Sequence, residues 1–449
     1  MRFLIIGGSD AGISAALRAR EIAPGVEVTV VLSDAFPNFS ICGLPFFLSG
    51  ETPDWRTLAH RTEFEGIELL TNSTAQRISF EDRAVEISAQ DGDKTVRYDR
   101  LLIATGAHPA MPQISGLNLE GVYPLHTMED SFRIQEHLNR GVRSAVMVGA
   151  GYIGLEMADA LVHRGMTVTL VGRSEAVLPT VDADLGRIVE KELGRRGVAV
   201  QSGTEVTAIE KTGALLRVRG ASGFSANAEI VIVAPGVSPN TQLVANSGLE
   251  LGEKGAIRVN RRMETSQPNV YAAGDCVETW HRLLERNTYL PLGTTSHKQG
   301  RVAGENAVGG DRQFEGVLGT QVVKVFDLAI GRTGLREDEA HDAGFSPITA
   351  STGNFDHKAY YPGAEKILTK VTGDRHTGRL LGAQMIGHWQ ASVAKRLDIF
   401  ATALFSRMEV DDLNDLDLSY TPPLGSPWDV VQLAAQKWTT RQSSPVNIY

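Results

Sequence analysis

The chain has 449 residues, of which 42% are hydrophobic and 22% charged, and its formal net charge is −9. That length exceeds one ordinary domain and predicts two to four, each with enough apolar residues for a core of its own. The mildly acidic balance, without any lysine- or arginine-rich block, excludes nucleic acid as an expected partner, and no apolar run approaches the roughly 20 residues of a spanning helix, so no membrane partner is expected either.

Met1 and Arg2 lead directly into the apolar stretch Phe3–Ile6. That stretch is too short for a signal peptide, and the expectation is a cytoplasmic protein. Residues 3–12 read FLIIGGSDAG, a strand running into a glycine turn, and a helical pattern ISAALRAREIA follows from Ile13. The second strand is VEVTVVL from Val26. The same order recurs at residues 145–154, AVMVGAGYIG, followed by LEMADALVHRG and the strand TVTLV from Thr167. One glycine fingerprint is a weak signal, but two with matching flanks predict two dinucleotide-binding units. Glycines let the backbone turn tightly and approach a pyrophosphate whose charge sits at the helix start. Two more strands close on glycine turns, LLIATGAHP at Leu101–Pro109 and NVYAAGDC at Asn269–Cys276.

With these four turns the chain resembles the pyridine nucleotide-disulfide oxidoreductase superfamily along its whole length. The resemblance implies an α/β fold with two Rossmann-like nucleotide-binding domains and a C-terminal α+β dimerisation domain. A discontinuous FAD-binding domain would span 1–112 and 252–318, an NAD(P)H-binding domain 113–251, and the dimerisation domain 319–449. The last of these mixes strand-like VVKVFDLAIG with the amphipathic VAKRLDIFATALF. FAD would contact Gly7, Gly8, Ser9, Asp10, Ala11 and Gly12 of the first turn, Ala104, Thr105 and Gly106 of the ATG turn, and Gly274 and Asp275 of the GD motif. The acid that would bind the FAD ribose is expected near Leu32, which cannot serve, and Asp34 is its substitute.

The second unit would bind the nicotinamide cofactor through Gly149, Gly151, Tyr152, Ile153 and Gly154. Tyr152 resembles the family's aromatic gate at the flavin face, and Glu156 would meet the nicotinamide amide. NADH-specific members carry an acid at the position of Gly172, and here Arg173 follows instead. Arginine pairs with a 2′-phosphate that a carboxylate repels, so NADPH is expected, with NADH as the alternative.

Cysteine is scarce: only Cys42 and Cys276 are present, with no CxxC pair, so neither a disulfide framework nor a metal site is expected. Cys276 follows Asp275 in a tight turn and reads as a small buried residue. Cys42 stands in PNFSICGLPFFLSG, where glutathione-reductase-like members have a CxxxxC pair and this chain has Phe47 as the fifth residue on. The resemblance is therefore to the single-cysteine branch, which comprises coenzyme A-disulfide reductases, persulfide reductases, and NADH oxidases and peroxidases. A thiolate at Cys42 would attack a disulfide or polysulfide sulfur, its pKa lowered by a helix start or by the flavin.

Oxidase and peroxidase members carry a histidine where this chain has Asp10, which favours a reductase. AYYPGA (Ala359–Ala364) and SYTPPLGSPWD (Ser419–Asp429) resemble the tyrosine segments of coenzyme A-disulfide reductases. By that match Tyr361 and Tyr420, with Tyr360 a lesser candidate, would approach Cys42 across a homodimer. Ile41 stands where many of those enzymes have asparagine, which leaves the disulfide or persulfide substrate unnamed. If it derives from coenzyme A, Arg18 is the expected phosphate partner, and no rhodanese domain is expected after Tyr420. Alternatives are an NAD(P)H oxidase or peroxidase using a Cys42 sulfenic acid, an electron-carrier reductase with an inert Cys42, and a redox sensor.

Overall fold

The computed structural model describes residues 1–443, so residues 444–449 of the expected 319–449 span lie outside the described part. The strand Arg2–Ile6 sits at the centre of a five-stranded parallel sheet, ordered Val270–Ala272, Arg100–Ile103, Arg2–Ile6, Glu27–Val31, Ile67–Leu70. A second parallel sheet is ordered Ala199–Gln201, Thr167–Val171, Ser144–Val148, Ile230–Val233, Val122–Pro124. The two agree in register: Ile5 faces Val30 and Leu102, as Met147 faces Leu170 and Ile232. Near-continuous apolar runs form these strands because helices and loops cover both faces of a parallel sheet.

The repeat extends further than the fingerprints. Each unit inserts a three-stranded antiparallel sheet before its closing strand, Ser73–Ser79, Ala84–Ala89 and Lys94–Arg97 in the first and Val206–Thr212, Leu215–Gly220 and Ser225–Ala228 in the second. The units differ between their second and third strands. The second unit has the long helix Ala183–Arg195 there, and the first has the short turns Ile41–Gly43 and Leu44–Ser49 that carry Cys42.

The chain returns to the first sheet late. Val270–Ala272 pairs with Arg100–Ile103 on its edge, and the following helix Gly293–Ala307 crosses Asp10–Ile22. Those helices touch backbone to backbone: a Cβ on Gly300 or Gly304 would come within 2.2 Å of the carbonyl oxygens of Ala11 and Ala15.

The last part is an antiparallel sheet ordered Gln321–Val325, Leu328–Gly334, Leu380–His388, Lys366–Asp374, Pro347–Phe355. Helices Val393–Phe405 and Val430–Ser443 pack on it. Polar contacts tie it to the second unit: Asp159 accepts from the Phe326 N–H at 2.8 Å, Gln384 from the Asp182 N–H at 2.7 Å, and the Thr180 carbonyl from Arg332 at 2.8 Å. No helix among the described residues is long and apolar enough to cross a membrane.

Trp438 anchors the last helix. It is 1% exposed, and its indole N–H donates to the Ile348 carbonyl at 2.8 Å. Trp438→Ala is expected to lower the unfolding free energy of this part by about 3–5 kcal/mol, read as an earlier denaturant midpoint in its tryptophan-independent far-UV circular dichroism.

Candidate active site

Both glycine turns rest on one contact. Gly7 (φ +118°) and Gly149 (φ +117°) lie so close to the next strand's end that a Cβ would sit 2.0 Å from the Ala104 oxygen and 2.1 Å from the Ala234 oxygen. Only glycine fits such a left-handed, crowded position. A Cβ on Gly12 or Gly154 would likewise fall 1.9 or 1.8 Å from the oxygen of Gly7 or Gly149. The helices Asp10–Ile22 and Tyr152–His163 therefore start against their strands, and neither Ser9 nor Gly151 caps its helix with a side chain. The uncapped helix starts leave backbone N–H groups for an anion. Ala104, Thr105 and Gly106 lie at the end of Arg100–Ile103 beside the first turn. Their counterpart beside the second turn is Ala234–Gly236, a site the sequence reading missed although EIVIVAPG mirrors LLIATG.

The Cys42 segment hangs from the first turn. The Asn38 N–H donates to the Gly8 oxygen at 2.8 Å, and the Ser40 N–H to the Leu58 oxygen at 2.8 Å. Phe36, Phe39, Trp55 and Phe132 pack edge to face beneath it, with centroids 5.4–5.7 Å apart. Pro45 opens the short helix Leu44–Ser49, and Gly50 ends it in the left-handed conformation. Cys42 itself is exposed, and Cys276 is buried against the oxygens of Ala273 and Ile103 at 3.4 and 3.6 Å. The reading of Cys276 as a small buried residue agrees with this environment.

The electrostatics at Cys42 differ from expectation. Its thiol is pushed up, first by the protein packed around the sulfur and then by Glu156, Asp10 and Asp275. The start of a six-residue helix does not offset three carboxylates. Glu156 is itself raised to about 7, by burial first and then by Asp159. Asp275, largely enclosed, is raised by burial and by Asp10, and accepts from the Ser296 hydroxyl at 2.9 Å. Asp10 is raised by burial, with His297 and His60 opposing. Its Oδ1 lies 3.4 Å from His297 Nε2. Neither histidine, nor Ser296, was singled out from the sequence, because each is remote from the glycine fingerprints.

The remaining expected residues spread more widely. Asp34 is half-buried and raised by burial, and one oxygen accepts from the Phe36 N–H at 2.8 Å. Leu32 is buried against Gly8. Tyr152, raised by burial, accepts from the Thr180 hydroxyl at 3.2 Å. Ile153 packs on the second core beside it. Arg173 is exposed and, among the described residues, forms no ion pair. Gly172 has no room for a carboxylate, because a Cβ there would lie 2.6 Å from that of Ala150. Arg18 is held by Glu305 at 2.6 Å and Glu21 at 2.9 Å, so its charge is already matched. Tyr361, Tyr420 and Tyr360 are all exposed on the C-terminal part, Tyr361 edge-on to His357 at 5.9 Å. None of the three is among the groups that act on Cys42 within its own chain.

Two dinucleotide-type turns and an open cysteine between carboxylates define a redox enzyme of the two-nucleotide class. Residues 1–300 match the family "Pyridine nucleotide-disulphide oxidoreductase", and residues 320–429 match its dimerisation domain. The chain belongs to that family and is an oxidoreductase. It is 36% identical over 439 residues to an "NAD(P)H sulfur oxidoreductase (CoA-dependent)" of Pyrococcus abyssi, covering 96% of this chain and 97% of that one. It is 33% identical over 447 residues to an "NADH oxidase" of Methanocaldococcus jannaschii, covering 97% and 98%. The solved NAD-dependent persulfide reductase from A. fulgidus superposes with a TM-score of 0.95 at 36% identity, over 98% of this chain and 83% of that one. Flavin and nicotinamide cofactors, which the family implies, fit the two uncapped helix starts and their Cβ-free turns.

The elevated Glu156 has a measurable consequence. Its carboxyl titrates near 4.5 when unfolded and near 7 when folded, so the folded chain holds a proton that the unfolded chain releases in between. The contribution of Glu156 to the stability of the cofactor-free protein should therefore fall as pH rises from 4.5 to 7, by on the order of 3 kcal/mol. Urea midpoints across that range should flatten in Glu156→Gln, and an unchanged slope would locate the titration elsewhere.

Proposed function

We propose that the chain is an FAD-dependent, NAD(P)H-driven reductase of a disulfide or persulfide, acting through Cys42 alone. The observation that carries this is the placement of Cys42. It is exposed on the segment beside the first glycine turn, while the only other thiol, Cys276, is buried. When bound, FAD would pass the electron pair of the nicotinamide to sulfur.

The chain's own residues do the rest. The Cys42 thiolate attacks one sulfur of the substrate, forms a mixed disulfide and expels a thiolate or hydrosulfide. Two electrons and a proton then return Cys42 to the thiol state and release the second product. Glu156, close to 7, is poised to hold or give a proton beside the sulfur. The pyrophosphate of FAD would lie on Gly7, Gly8, Ser9, Asp10, Ala11 and Gly12, with Asp34 toward the ribose and Ala104, Thr105, Gly106, Gly274 and Asp275 along the remainder. NADPH would lie on Gly149, Gly151, Tyr152, Ile153 and Gly154. This divides the chain into an FAD domain of residues 1–112 and 252–318 and a nicotinamide domain of 113–251. The rest, 319–449, would form a homodimer in which Tyr361 and Tyr420 face Cys42 of the other subunit. Exposure of Tyr361, Tyr420, Leu424 and Trp428 together supports that interface. The substrate class follows the sulfur and persulfide reductases among the relatives, with coenzyme A as one source of the disulfide.

Oxygen as acceptor is the second reading. A relative named NADH oxidase supports it, and so does the structure around Asp10: a histidine is missing at position 10, yet His297 and His60 bring imidazoles there.

Anaerobic titration with NADPH separates these readings. Wild type should take up one equivalent more than Cys42→Ser after oxidation by a disulfide, with a long-wavelength thiolate-to-flavin band. Identical titrations would leave flavin as the only acceptor and remove the sulfur mechanism. NADPH consumption in air without any disulfide, lost in Cys42→Ser, would favour the oxidase reading. For the nucleotide, Arg173→Ala should raise the KM for NADPH about 10-fold and leave that for NADH within about 2-fold, from the loss of one charge-assisted contact. Equal changes for both would remove Arg173 from the 2′-phosphate.

A further inference from the structure

We propose that Asp10, His60 and His297 form a binding site for a divalent transition-metal ion of the zinc class. Three separate segments deliver the donors. Asp10 opens the helix Asp10–Ile22, His60 follows the short helix Trp55–Leu58, and His297 lies in the first half of Gly293–Ala307. One ligand atom from each lies within 4.8 Å of the others. Nitrogen from two imidazoles and oxygen from one carboxylate is a zinc donor set.

The spacing favours an ion over a direct contact. His297 Nε2 and Asp10 Oδ1 are 3.4 Å apart. A charge-assisted hydrogen bond would close to about 2.7–2.9 Å. A tetrahedron with bonds of about 2.0–2.1 Å has an edge of roughly 3.4 Å; the Asp10–His297 pair matches it, and the His60 donor, bounded only at 4.8 Å, would close on the ion. The other ring nitrogen, His297 Nδ1, lies 2.9 Å from the Ser14 hydroxyl. That contact fixes the ring and turns Nε2 toward Asp10, the usual support of a metal-binding imidazole. The His60 backbone N–H donates to the Asn38 oxygen at 3.0 Å, and its exposed ring stands edge-on to His297 at 6.2 Å.

Charge points the same way. The side chains whose charge raises the Cys42 thiol, Glu156, Asp10 and Asp275, are all carboxylates. A dication held by Asp10 would offset that accumulation at its edge. The site shares Asp10 with the proposed FAD turn, so it is tested in the FAD-loaded protein; none of its three donors is a thiol.

The test uses Zn2+ alone, titrated calorimetrically into the chelator-treated flavoprotein, with retained metal counted by elemental analysis after gel filtration. One ion per chain is expected. Affinity should drop by more than about 10-fold in His297→Ala and in His60→Ala, and by roughly 10-fold in Ser14→Ala, which removes only the support of a ligand. Cys42→Ser should bind as wild type does. No retained zinc, equal retention in wild type and both histidine variants, or loss confined to Cys42→Ser would each overturn the site. His60→Ala alters an exposed loop, so it decides the matter even if His297→Ala fails to fold.

Discussion

The structure depends on a backbone contact that admits no side chain. At Gly7 and again at Gly149 the chain passes within 2.0–2.1 Å, measured from where a Cβ would be, of the carbonyl oxygen ending the neighbouring strand. That closeness sets each helix start beside its sheet. From the first turn the Cys42 segment is suspended by the Gly8 oxygen, Asp10 opens the helix, and Asp275 follows the strand two places over. A methyl group at either glycine would separate strand from helix, and every later alignment would be lost with it.

The duplicated scaffold also shows where the two units part. Between their second and third strands one has the helix Ala183–Arg195 and the other the cysteine-bearing turns. A helix in that slot covers the sheet and buries its own apolar face. The short turns instead leave Cys42 open, and their aromatic cluster of Phe36, Phe39, Trp55 and Phe132 packs toward the core of the second unit.

Much of this was legible in the residues, for identifiable reasons. Glycines at fixed spacing between an apolar run and a helical pattern are a local signal, and both fingerprints lie at the turns of matching parallel sheets. The amphipathic VAKRLDIFATALF is the helix Val393–Phe405, and the strand-like VVKVFDLAIG divides into two strands, Gln321–Val325 and Leu328–Gly334, a turn the pattern did not show. The three-stranded inserts were missed because strands such as Ser73–Ser79 and Ser225–Ala228 carry few apolar residues. The upward shift of the Cys42 thiol in the cofactor-free chain was not legible because Glu156, Asp10 and Asp275 come from three distant stretches of chain, and their joint field is a product of the fold. The meeting of His60 with His297 is invisible for the same reason.

The late return of Val270–Ala272 to the first sheet has a bearing on synthesis. Strand Arg100–Ile103 leaves the ribosome with one edge bare, and the helix that covers Asp10–Ile22 ends only at Ala307. At translation rates of about 5–20 residues per second the first-made sheet waits on the order of 10–40 s for its last pieces. The second sheet, continuous from Val122 to Val233, can close during that interval. The second unit can thus complete its sheet before the first, although the first emerges earlier.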